Sequence, residues 1–592
     1  MPATTATVGP KISAVAAAVV VAILALGWSQ LFRAGYSPDE EYTIFAVRGI
    51  ESSAERLPLL PSGLLYDRGL AFSYASWAAA QFSGTELPVY RALALLCAVV
   101  SVWSVFLVVS SAASRMAAAL AALLVAASVP FWAAATTGRF YAPLLAVFTS
   151  ALFTFCRLAR SNISTFGSSA ALRTFGTLAV LAFLGRLVHE LAFTVVAIPL
   201  LCFAIGQRGG RAKWLAAALA LAAGLVTAQI LILCLHALAP PSGGQTMVQR
   251  FFIWQVINLF EVPPGGQFGI PVVALLICWL IAPSRARLCL AVTLGLAAVI
   301  ASVVLVRALT IAPLSPALVE RVLTDGSRYP LDMFWHIARA TPLTLGLALG
   351  LLIARLAGAG GEWPPLERAG HLLWIGWVLW FGVIESGITL NYLLLPVSLM
   401  LVAIAVDVAA VVSHNMSHNI AGISATGRVA SWSICALVVA AVAADQWRGD
   451  GPPRARLEAA RPTIDVSGIE KIRSSLQPGD RVACTDELAC LMLVGRIDAW
   501  LALDDYVRER FVIRKGDGQL VGVYTGKPAV FRPAQMFDWP RANRTLIVDV
   551  FKELPIGNTR EWLPRALRGD NLVAKVLLET AQARVVEVAF NR

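Results

Sequence analysis

Long apolar runs separated by short polar segments fill the first three quarters of the chain. A helix needs about 20 apolar residues to cross a bilayer, and runs of this length recur until about residue 445. The pattern predicts a polytopic α-helical membrane protein with about 13 spans. We place these spans near residues 12–32, 88–110, 115–133, 140–157, 174–188, 191–206, 213–237, 269–283, 288–306, 341–357, 371–385, 389–410 and 428–445.

The composition agrees with this interpretation. Of the 592 residues, 58% are hydrophobic and 14% are charged, and the mean hydropathy is +0.71. A soluble domain usually carries about 25% charged residues. The net charge of +12 does not indicate a nucleic-acid partner, because the Lys and Arg residues lie largely in short loops, where they orient a membrane protein.

Alternate loops carry the basic residues, which places these loops in the cytoplasm by the positive-inside rule. The residues concerned are Arg115, Arg157, Arg160, Arg173, Arg208, Arg211, Lys213, Arg285, Arg287, Arg355, Arg368 and Arg428. The other loops, including the long first outer loop at 35–87, are then extracytoplasmic. We predict a cytoplasmic N-terminus, an extracytoplasmic C-terminus and a location in the bacterial inner (plasma) membrane.

The chain beyond residue 446 has an ordinary, charged composition. Residues 447–462 are rich in Pro, Gly and charge and predict a linker between a transmembrane domain at 1–446 and a C-terminal domain at 463–592. Strands alternate with helices in the C-terminal part, which predicts an extracytoplasmic α/β domain. We place its strands at 481–485, 544–550 and 583–590 and its helices at 486–494 and 559–568. Cys484 and Cys490 could form a disulfide there.

An acidic segment opens the first outer loop. Asp39, Glu40 and Glu41 follow within ten residues of an uncharged run at 12–31. Pro38 fixes its own φ and disfavours helical backbone at the residue before it, so the first helix is expected to stop and place Asp39 at the membrane surface. A carboxylate in this position suits a catalytic base that acts on a lipid-borne substrate. The alternative is a solvated acidic turn that only ends a helix.

The whole arrangement resembles one group of membrane proteins. A cytoplasmic N-terminus, an Asp-Glu pair opening a long first outer loop, about a dozen further spans and an outer C-terminal domain resemble the GT-C superfamily of polyprenyl-phosphate-sugar glycosyltransferases. Within it the chain looks most like the branch of protein O-mannosyltransferases and the lipid A aminoarabinose transferase. The residues Gly138-Arg139-Phe140-Tyr141 are similar to an Arg-x-Tyr of that branch. Residues 391–396, Asn-Tyr-Leu-Leu-Leu-Pro, look like its Arg-Tyr-Leu-x-x-Pro segment, with Asn where Arg is usual.

This resemblance implies an inverting glycosyltransferase, either a hexosyl- or a pentosyltransferase, whose catalytic residues are Asp39 and Glu40 in the transmembrane domain. A polyprenyl-phosphate-linked sugar is the implied donor, and the acceptor is an extracytoplasmic glycan, lipid or protein of the cell envelope. The candidates for binding the donor phosphate are Arg139, Tyr141, Arg328 and Tyr329, because Arg binds phosphate oxygens bidentately and stays charged. Membrane-edge arginines that reach lipid headgroups are the alternative for both Arg positions.

Four further residues are candidates for acceptor or sugar contacts: His189, Glu190, Tyr66 and Arg68. His189 and Glu190 could equally cap a helix turn, and the aromatic segment around Tyr66 could equally anchor the loop in the lipid headgroup zone. No metal site is predicted, since two adjacent side chains supply too few ligands, and a divalent metal ion stays open as a cofactor.

The membrane architecture leaves other functions open. A polytopic transporter or lipid flippase is the main alternative, although such proteins usually carry mid-span ionisable residues or internal repeats. A non-catalytic scaffold for envelope enzymes is the third functional hypothesis. Membrane lipids are predicted partners in every case.

Overall fold

The computed structural model describes residues 10–33, 35–37, 39–83, 87–161, 168–189, 192–206, 211–240, 337–338, 340–357, 364–383, 393–419, 425–447, 473–474, 476–503, 508, 511–515, 517–539, 542–551, 553–554, 557–580 and 583–590. Several residues singled out in the sequence lie outside them: Pro38, Glu190, Arg208, Arg285, Arg287, Arg328, Tyr329, Asn391 and Tyr392. The spans predicted at 269–283 and 288–306 also lie outside, as does nearly all of the predicted linker.

The first part of the chain is helical. Helices α1 to α14 are Pro10–Leu31, Glu40–Ser52, Leu70–Ser83, Leu87–Ala112, Arg115–Ala126, Val129–Ala135, Tyr141–Arg160, Ser169–Val188, Ala192–Gly206, Arg211–Leu238, Pro342–Leu356, Pro365–Val383, Leu394–Asn419 and Ala425–Gln446. Among the described residues, 5 helices are long and apolar enough to cross a membrane, or up to 6 if the bent pair α5–α6 is one span. The protein is therefore an integral membrane protein, and the predicted total of about 13 spans is not confirmed.

The span predicted at 115–133 consists of two helices. Helices α5 and α6 meet at an angle of 67°. Pro130 lies in the first turn of α6, where its missing N–H is tolerated but a continuous helix would lose a hydrogen bond. The Ser128 hydroxyl donates to the carbonyl oxygen of Val125 at the end of α5. The break directs the chain into the turn at 136–140 that precedes α7.

Two helices, α2 and α3, lie in the first outer loop. Helix α2 begins directly after Asp39, and most of its side chains are buried. Helix α3 begins at Leu70, after Gly69 with a φ of +77°, a left-handed conformation that favours glycine.

The C-terminal part forms a mixed α/β domain. Strands β1 to β10 are Arg481–Cys484, Ala499–Leu501, Val512–Arg514, Leu520–Gly522, Ala529–Val530, Thr545–Val550, Glu553–Leu554, Gly557–Asn558, Leu572–Glu579 and Ala583–Phe590, and helices α15 and α16 are Glu487–Val494 and Trp562–Gly569. The main sheet has the order β5-β2-β1-β6-β10-β9. Its first four strands are parallel, and β10 and β9 are antiparallel to their neighbours. Cys484 and Cys490 form a disulfide with their Cα atoms 6.1 Å apart.

The C-terminal domain packs directly on the first outer loop. Leu488, Val523 and Tyr524 form one apolar cluster with Phe45, Ala46, Leu60, Leu64 and Tyr66. Polar contacts flank this cluster: the Ser62 hydroxyl donates to the Val523 carbonyl oxygen at 2.7 Å, and the Tyr36 hydroxyl donates to the Ala489 carbonyl oxygen at 3.0 Å. The domain and the loop therefore share a core.

A buried ion pair holds the entrance of the first loop. The Arg91 guanidinium in α4 donates to both carboxylate oxygens of Glu40, at 2.9 Å and 2.8 Å, and both side chains are fully buried. It also donates to the carbonyl oxygens of Leu31, Arg33 and Gly35. One side chain thus fixes the end of α1, the connecting segment and the start of α2.

A second buried carboxylate shapes a turn of the C-terminal domain. The Glu487 carboxylate accepts the backbone N–H of Thr525 at 2.9 Å and the hydroxyl of the same residue. Burial raises the pKa of Glu487 to about 8, against the lowering effect of these hydrogen bonds. The protonated form is therefore favoured in the folded state.

Breaking the Arg91–Glu40 pair is expected to destabilise the protein. In Glu40→Gln the Arg91 charge stays buried without its counter-charge, which costs about 3–5 kcal/mol of unfolding free energy. Thermal unfolding of the full chain in detergent measures this loss. The matched control is Glu51→Gln, an exposed carboxylate on the same helix that should change the unfolding free energy by less than about 0.5 kcal/mol. Equal melting temperatures for the two variants would contradict the assignment.

Glu487 is expected to make the C-terminal domain less stable at high pH. The pKa of Glu487 in the folded state is about 8, above the ordinary 4.5. Its contribution to the free energy of unfolding is therefore full below pH 4.5 and is lost as the pH rises to 8. The slope is at most about 1.4 kcal/mol per pH unit. Hydrogen exchange of the α15 amide groups in the full chain, corrected for intrinsic exchange, measures it. Glu487→Gln should flatten this dependence and Glu561→Gln, at an exposed position, should not. Parallel profiles for wild type and Glu487→Gln would refute the prediction.

Candidate active site

Asp39 has an unusual backbone conformation. Its φ of 81° and ψ of −17° are left-handed, which costs a non-glycine residue about 1–3 kcal/mol. It occupies the N-cap position of α2, where an Asp side chain usually accepts a hydrogen bond from the first turn, but it makes no such bond. The carboxylate instead accepts a hydrogen bond from the Tyr141 hydroxyl at 3.4 Å and stays partly exposed. The backbone thus directs Asp39 away from its own helix.

The turn before α7 is brought to Asp39 by Glu40. The backbone N–H of Gly138 donates to the Glu40 carboxylate at 2.7 Å. A Cβ atom at Gly138 would lie 3.0 Å from the Cβ of Tyr90, so a larger residue would push the turn away. Arg139 and Tyr141 are next in sequence. The predicted Arg-x-Tyr segment and the acidic segment therefore meet in one place.

Arg139 is buried among aromatic rings. Its guanidinium carbon lies 4.4 Å from the ring centre of Phe140 and 5.1 Å from that of Tyr42. One nitrogen, Nη1, donates to the Tyr66 hydroxyl at 2.6 Å. Within the described residues Nε has no hydrogen-bond partner, and no carboxylate forms an ion pair with the guanidinium. Aromatic faces stabilise a cation by about 0.5–2 kcal/mol, which leaves this buried charge ready to accept an anion.

Three of the residues predicted to contact acceptor or sugar lie near Arg139 and its neighbour Phe140. Tyr66 stacks on Tyr42 with 5.7 Å between ring centres, in addition to its bond to Arg139. The Arg68 guanidinium lies 5.8 Å from the Phe140 ring centre, and the buried His189 ring lies 4.6 Å from it. His189 also ends helix α8. Arg68 and His189 thus lie against Phe140, and Tyr66 lies against Arg139. The fourth predicted contact, Glu190, and the predicted phosphate-binding residues Arg328 and Tyr329 fall outside the described residues.

Glu40 faces away from this site. Besides Arg91, its carboxylate accepts the backbone N–H groups of Ser37 and Gly138, both at 2.7 Å. Burial alone would raise the pKa of Glu40, but the hydrogen bond and charge of Arg91 outweigh it and hold the pKa below its ordinary value. A carboxylate with so many donors is a poor proton acceptor. We therefore assign Glu40, which the sequence reading paired with Asp39 as catalytic, to positioning the turn.

The sequence reading missed Tyr42, Arg91 and Tyr524. Arg91 carried a signal, because it is an ionisable residue inside a predicted span, which usually has a buried partner. Tyr42 sits in the acidic segment but was not singled out. Tyr524 comes from the C-terminal domain, and its ring meets that of Tyr42 edge-on with 5.0 Å between centres. Nothing local in the sequence indicates that contact.

The described residues do not fit a protein-held metal ion. Beside Tyr66, the buried Asp67 carboxylate lies 3.0 Å from Nε2 of His236 in α10. The second oxygen of Asp67 is buried without a partner among the described residues. This pair supplies two ligands, and no group of three or more His, Cys, Asp or Glu side chains occurs in that part of the chain. Structural and catalytic zinc sites use at least three protein ligands.

Comparison with solved structures gives matches over nearly the whole chain. The oligosaccharyltransferase AglB from Archaeoglobus fulgidus, in complex with an inhibitory peptide and a dolichol-phosphate, is 14% identical with a TM-score of 0.53, and the match covers 91% of this chain and 69% of AglB. ArnT from Cupriavidus metallidurans bound to undecaprenyl phosphate is 14% identical with a TM-score of 0.48, with 98% of both chains covered.

No family model and no curated protein sequence matches the chain significantly. Identity of 14% is too low to transfer an activity, so the likeness to AglB concerns the architecture alone. A helical membrane part followed by a C-terminal sheet domain is the organisation that the two chains share. The chain therefore shares its overall fold with the oligosaccharyltransferase AglB, in agreement with the resemblance that the sequence shows.

Proposed function

We propose that the protein is an inverting glycosyltransferase that uses a polyprenyl-phosphate-linked sugar. One observation carries this proposal: a strained, partly exposed Asp39 lies near a buried Arg139, whose guanidinium has no carboxylate within ion-pair distance among the described residues. A base and an anion site at the end of membrane helices are what this transfer needs. The GT-C fold and the dolichol-phosphate bound to AglB support the donor class.

Asp39 acts as the base in this proposal. Its carboxylate takes the proton of the acceptor hydroxyl as the oxygen attacks the anomeric carbon. The attack comes from the face opposite the phosphate, and the bond between the anomeric carbon and the phosphate oxygen breaks. Because one displacement occurs, one base suffices and the anomeric configuration inverts. A positioned base contributes about 100- to 10,000-fold in rate.

Arg139 binds the leaving phosphate. The phosphate oxygens carry the negative charge that develops as the sugar leaves, and a guanidinium can donate two parallel hydrogen bonds to them. In Arg139 the buried Nε and the aromatic surroundings keep these donors out of water, which strengthens the interaction. Tyr141, already bonded to Asp39, would keep the base oriented toward the same space.

For the acceptor, the proposal names a chemical class. We propose an extracytoplasmic glycan, lipid or protein, because the site lies at the ends of α1, α4 and α7 that the basic loops assign to the outer side. Arg68 and His189 at Phe140, and Tyr66 at Arg139, are the proposed acceptor or sugar contacts.

A transporter is the second candidate, and one observation favours it. Arg355 and Glu367 form a buried ion pair at 2.6 Å, and His371 lies 2.8 Å from Asp407. Ionisable residues inside membrane helices often mark ion or proton pathways. However, Arg355 and Glu367 lie at the last turn of α11 and the first turn of α12, so their ion pair ties two helix ends together, whereas Asp407 lies inside the candidate span Leu394–Val412. We therefore rank this function below glycosyl transfer.

Asp39→Asn is expected to abolish transfer without abolishing binding. The amide cannot take the proton, so release of polyprenyl phosphate from a panel of polyprenyl-phosphate sugars should fall at least about 100-fold. Affinity for undecaprenyl phosphate should stay within about 3-fold of wild type, since Arg139 is unchanged. Asp517→Asn, an exposed position, serves as the control. Equal release by wild type and Asp39→Asn would remove Asp39 from the mechanism.

Arg139→Gln is expected to weaken phosphate binding. Loss of a charge-assisted bidentate contact costs about 1.5–3 kcal/mol, or about 10- to 150-fold in affinity. Native mass spectrometry of the purified protein with undecaprenyl phosphate measures this. Arg48→Gln is matched, because Arg48 is an exposed arginine of α2 whose guanidinium also lies over a Phe ring, at 5.9 Å. Unchanged affinity in Arg139→Gln would place the phosphate elsewhere.

A further inference from the structure

We infer that Tyr524 of the C-terminal domain is a positioning residue for the phosphate site. Resting on the proposed function, this inference assigns the domain a part in binding the donor. The sequence predicts a domain apart from the site, separated by a linker. The structure brings one of its turns, residues 522–526, onto the residues that surround Arg139.

Three tyrosine rings connect the domain to the guanidinium. The nearly buried Tyr524 ring meets Tyr42 edge-on at 5.0 Å, with 78° between the ring planes. Tyr42 stacks on Tyr66 at 5.7 Å, with 18° between the planes. Tyr42 and Tyr66 are both neighbours of Arg139, the first through its ring face and the second through its hydroxyl. The position of Tyr524 therefore affects both rings that hold the guanidinium.

The turn that carries Tyr524 is fixed from two sides. On the side of the first loop, the backbone N–H of Ser62 donates to the Tyr524 carbonyl oxygen at 3.0 Å. The Ser62 hydroxyl donates to the Val523 carbonyl oxygen at 2.7 Å. On the domain side, Glu487 holds Thr525. A Cβ atom at Gly522 would lie 2.2 Å from the Glu487 carboxylate, so this turn requires glycine there. These contacts leave Tyr524 little freedom to move away from Tyr42.

This geometry separates binding from chemistry. Tyr524 contacts Tyr42, whereas the Asp39 carboxylate is held by the Tyr141 hydroxyl, so the base should work normally once the donor is bound. Removing the Tyr524 ring frees Tyr42 and weakens the surroundings of Arg139. The expected change is a higher KM for the donor and a weaker affinity for polyprenyl phosphate, with kcat nearly unchanged.

The test compares Tyr524→Ala, Tyr524→Phe and Phe590→Ala in the full-length protein. Phe590 lies in the last strand and packs on Phe537. The Phe590→Ala variant therefore controls for the loss of an aromatic ring elsewhere in the domain. Tyr524→Ala should weaken undecaprenyl phosphate binding about 5-fold and raise the donor KM equally, whereas Tyr524→Phe, which keeps the ring, should stay within about 2-fold of wild type. Tyr524→Leu, which keeps most of the volume without the ring, replaces the Ala variant if that variant melts at a lower temperature.

Coupling to Arg139 distinguishes positioning from general damage. In an Arg139→Gln background Tyr524→Ala should cost no further affinity, because it acts through the guanidinium. Additive losses, or equal binding by wild type and Tyr524→Ala while Arg139→Gln loses affinity, would overturn this inference alone. No binding of undecaprenyl phosphate by the wild type would overturn the proposed function together with it.

Discussion

The buried pair of Arg91 and Glu40 determines where the candidate site lies. Arg91 holds the end of α1 and the start of α2 through carbonyl oxygens and the Glu40 carboxylate, and Glu40 in turn holds the turn at Gly138. Neither charge could stay buried alone at this depth, since an unpaired buried charge costs several kcal/mol. Each partner therefore requires the other. Asp39, one residue before Glu40, and Arg139, one residue after Gly138, are brought together as a consequence.

Two adjacent carboxylates have different roles because of one backbone conformation. The left-handed φ at Asp39 turns its side chain out of the helix, whereas Glu40 in the first helical turn points into the protein. Strain of this kind persists only where surrounding contacts impose it, and the Arg91 contacts do so here. The result is one carboxylate that anchors and one that remains accessible beside an arginine without a carboxylate partner among the described residues.

Much of the helical part could be predicted from the sequence, because apolar length is nearly the only requirement for a span. A described helix overlaps each predicted span before residue 240. The bend before Pro130 was not predicted from the sequence, because the apolar run continues across residues 115–133 and does not show that the proline begins a new helix. Strands β2 and β5 were too short, at 3 and 2 residues, to show alternation. Asp39 was found from the acidic segment and Arg139 and Tyr141 by resemblance, but the Tyr524 contact joins residues about 480 positions apart, which no local pattern encodes.

A cryo-EM structure of the protein with undecaprenyl phosphate tests the central claim most directly. The account predicts the phosphate within hydrogen-bond distance of the Arg139 guanidinium, beside the Asp39 carboxylate and under the ring of Tyr66. Nε of Arg139, which lacks a partner among the described residues, would then donate to a phosphate oxygen. A phosphate bound away from Arg139, with the guanidinium still bonded only to Tyr66, would contradict the account.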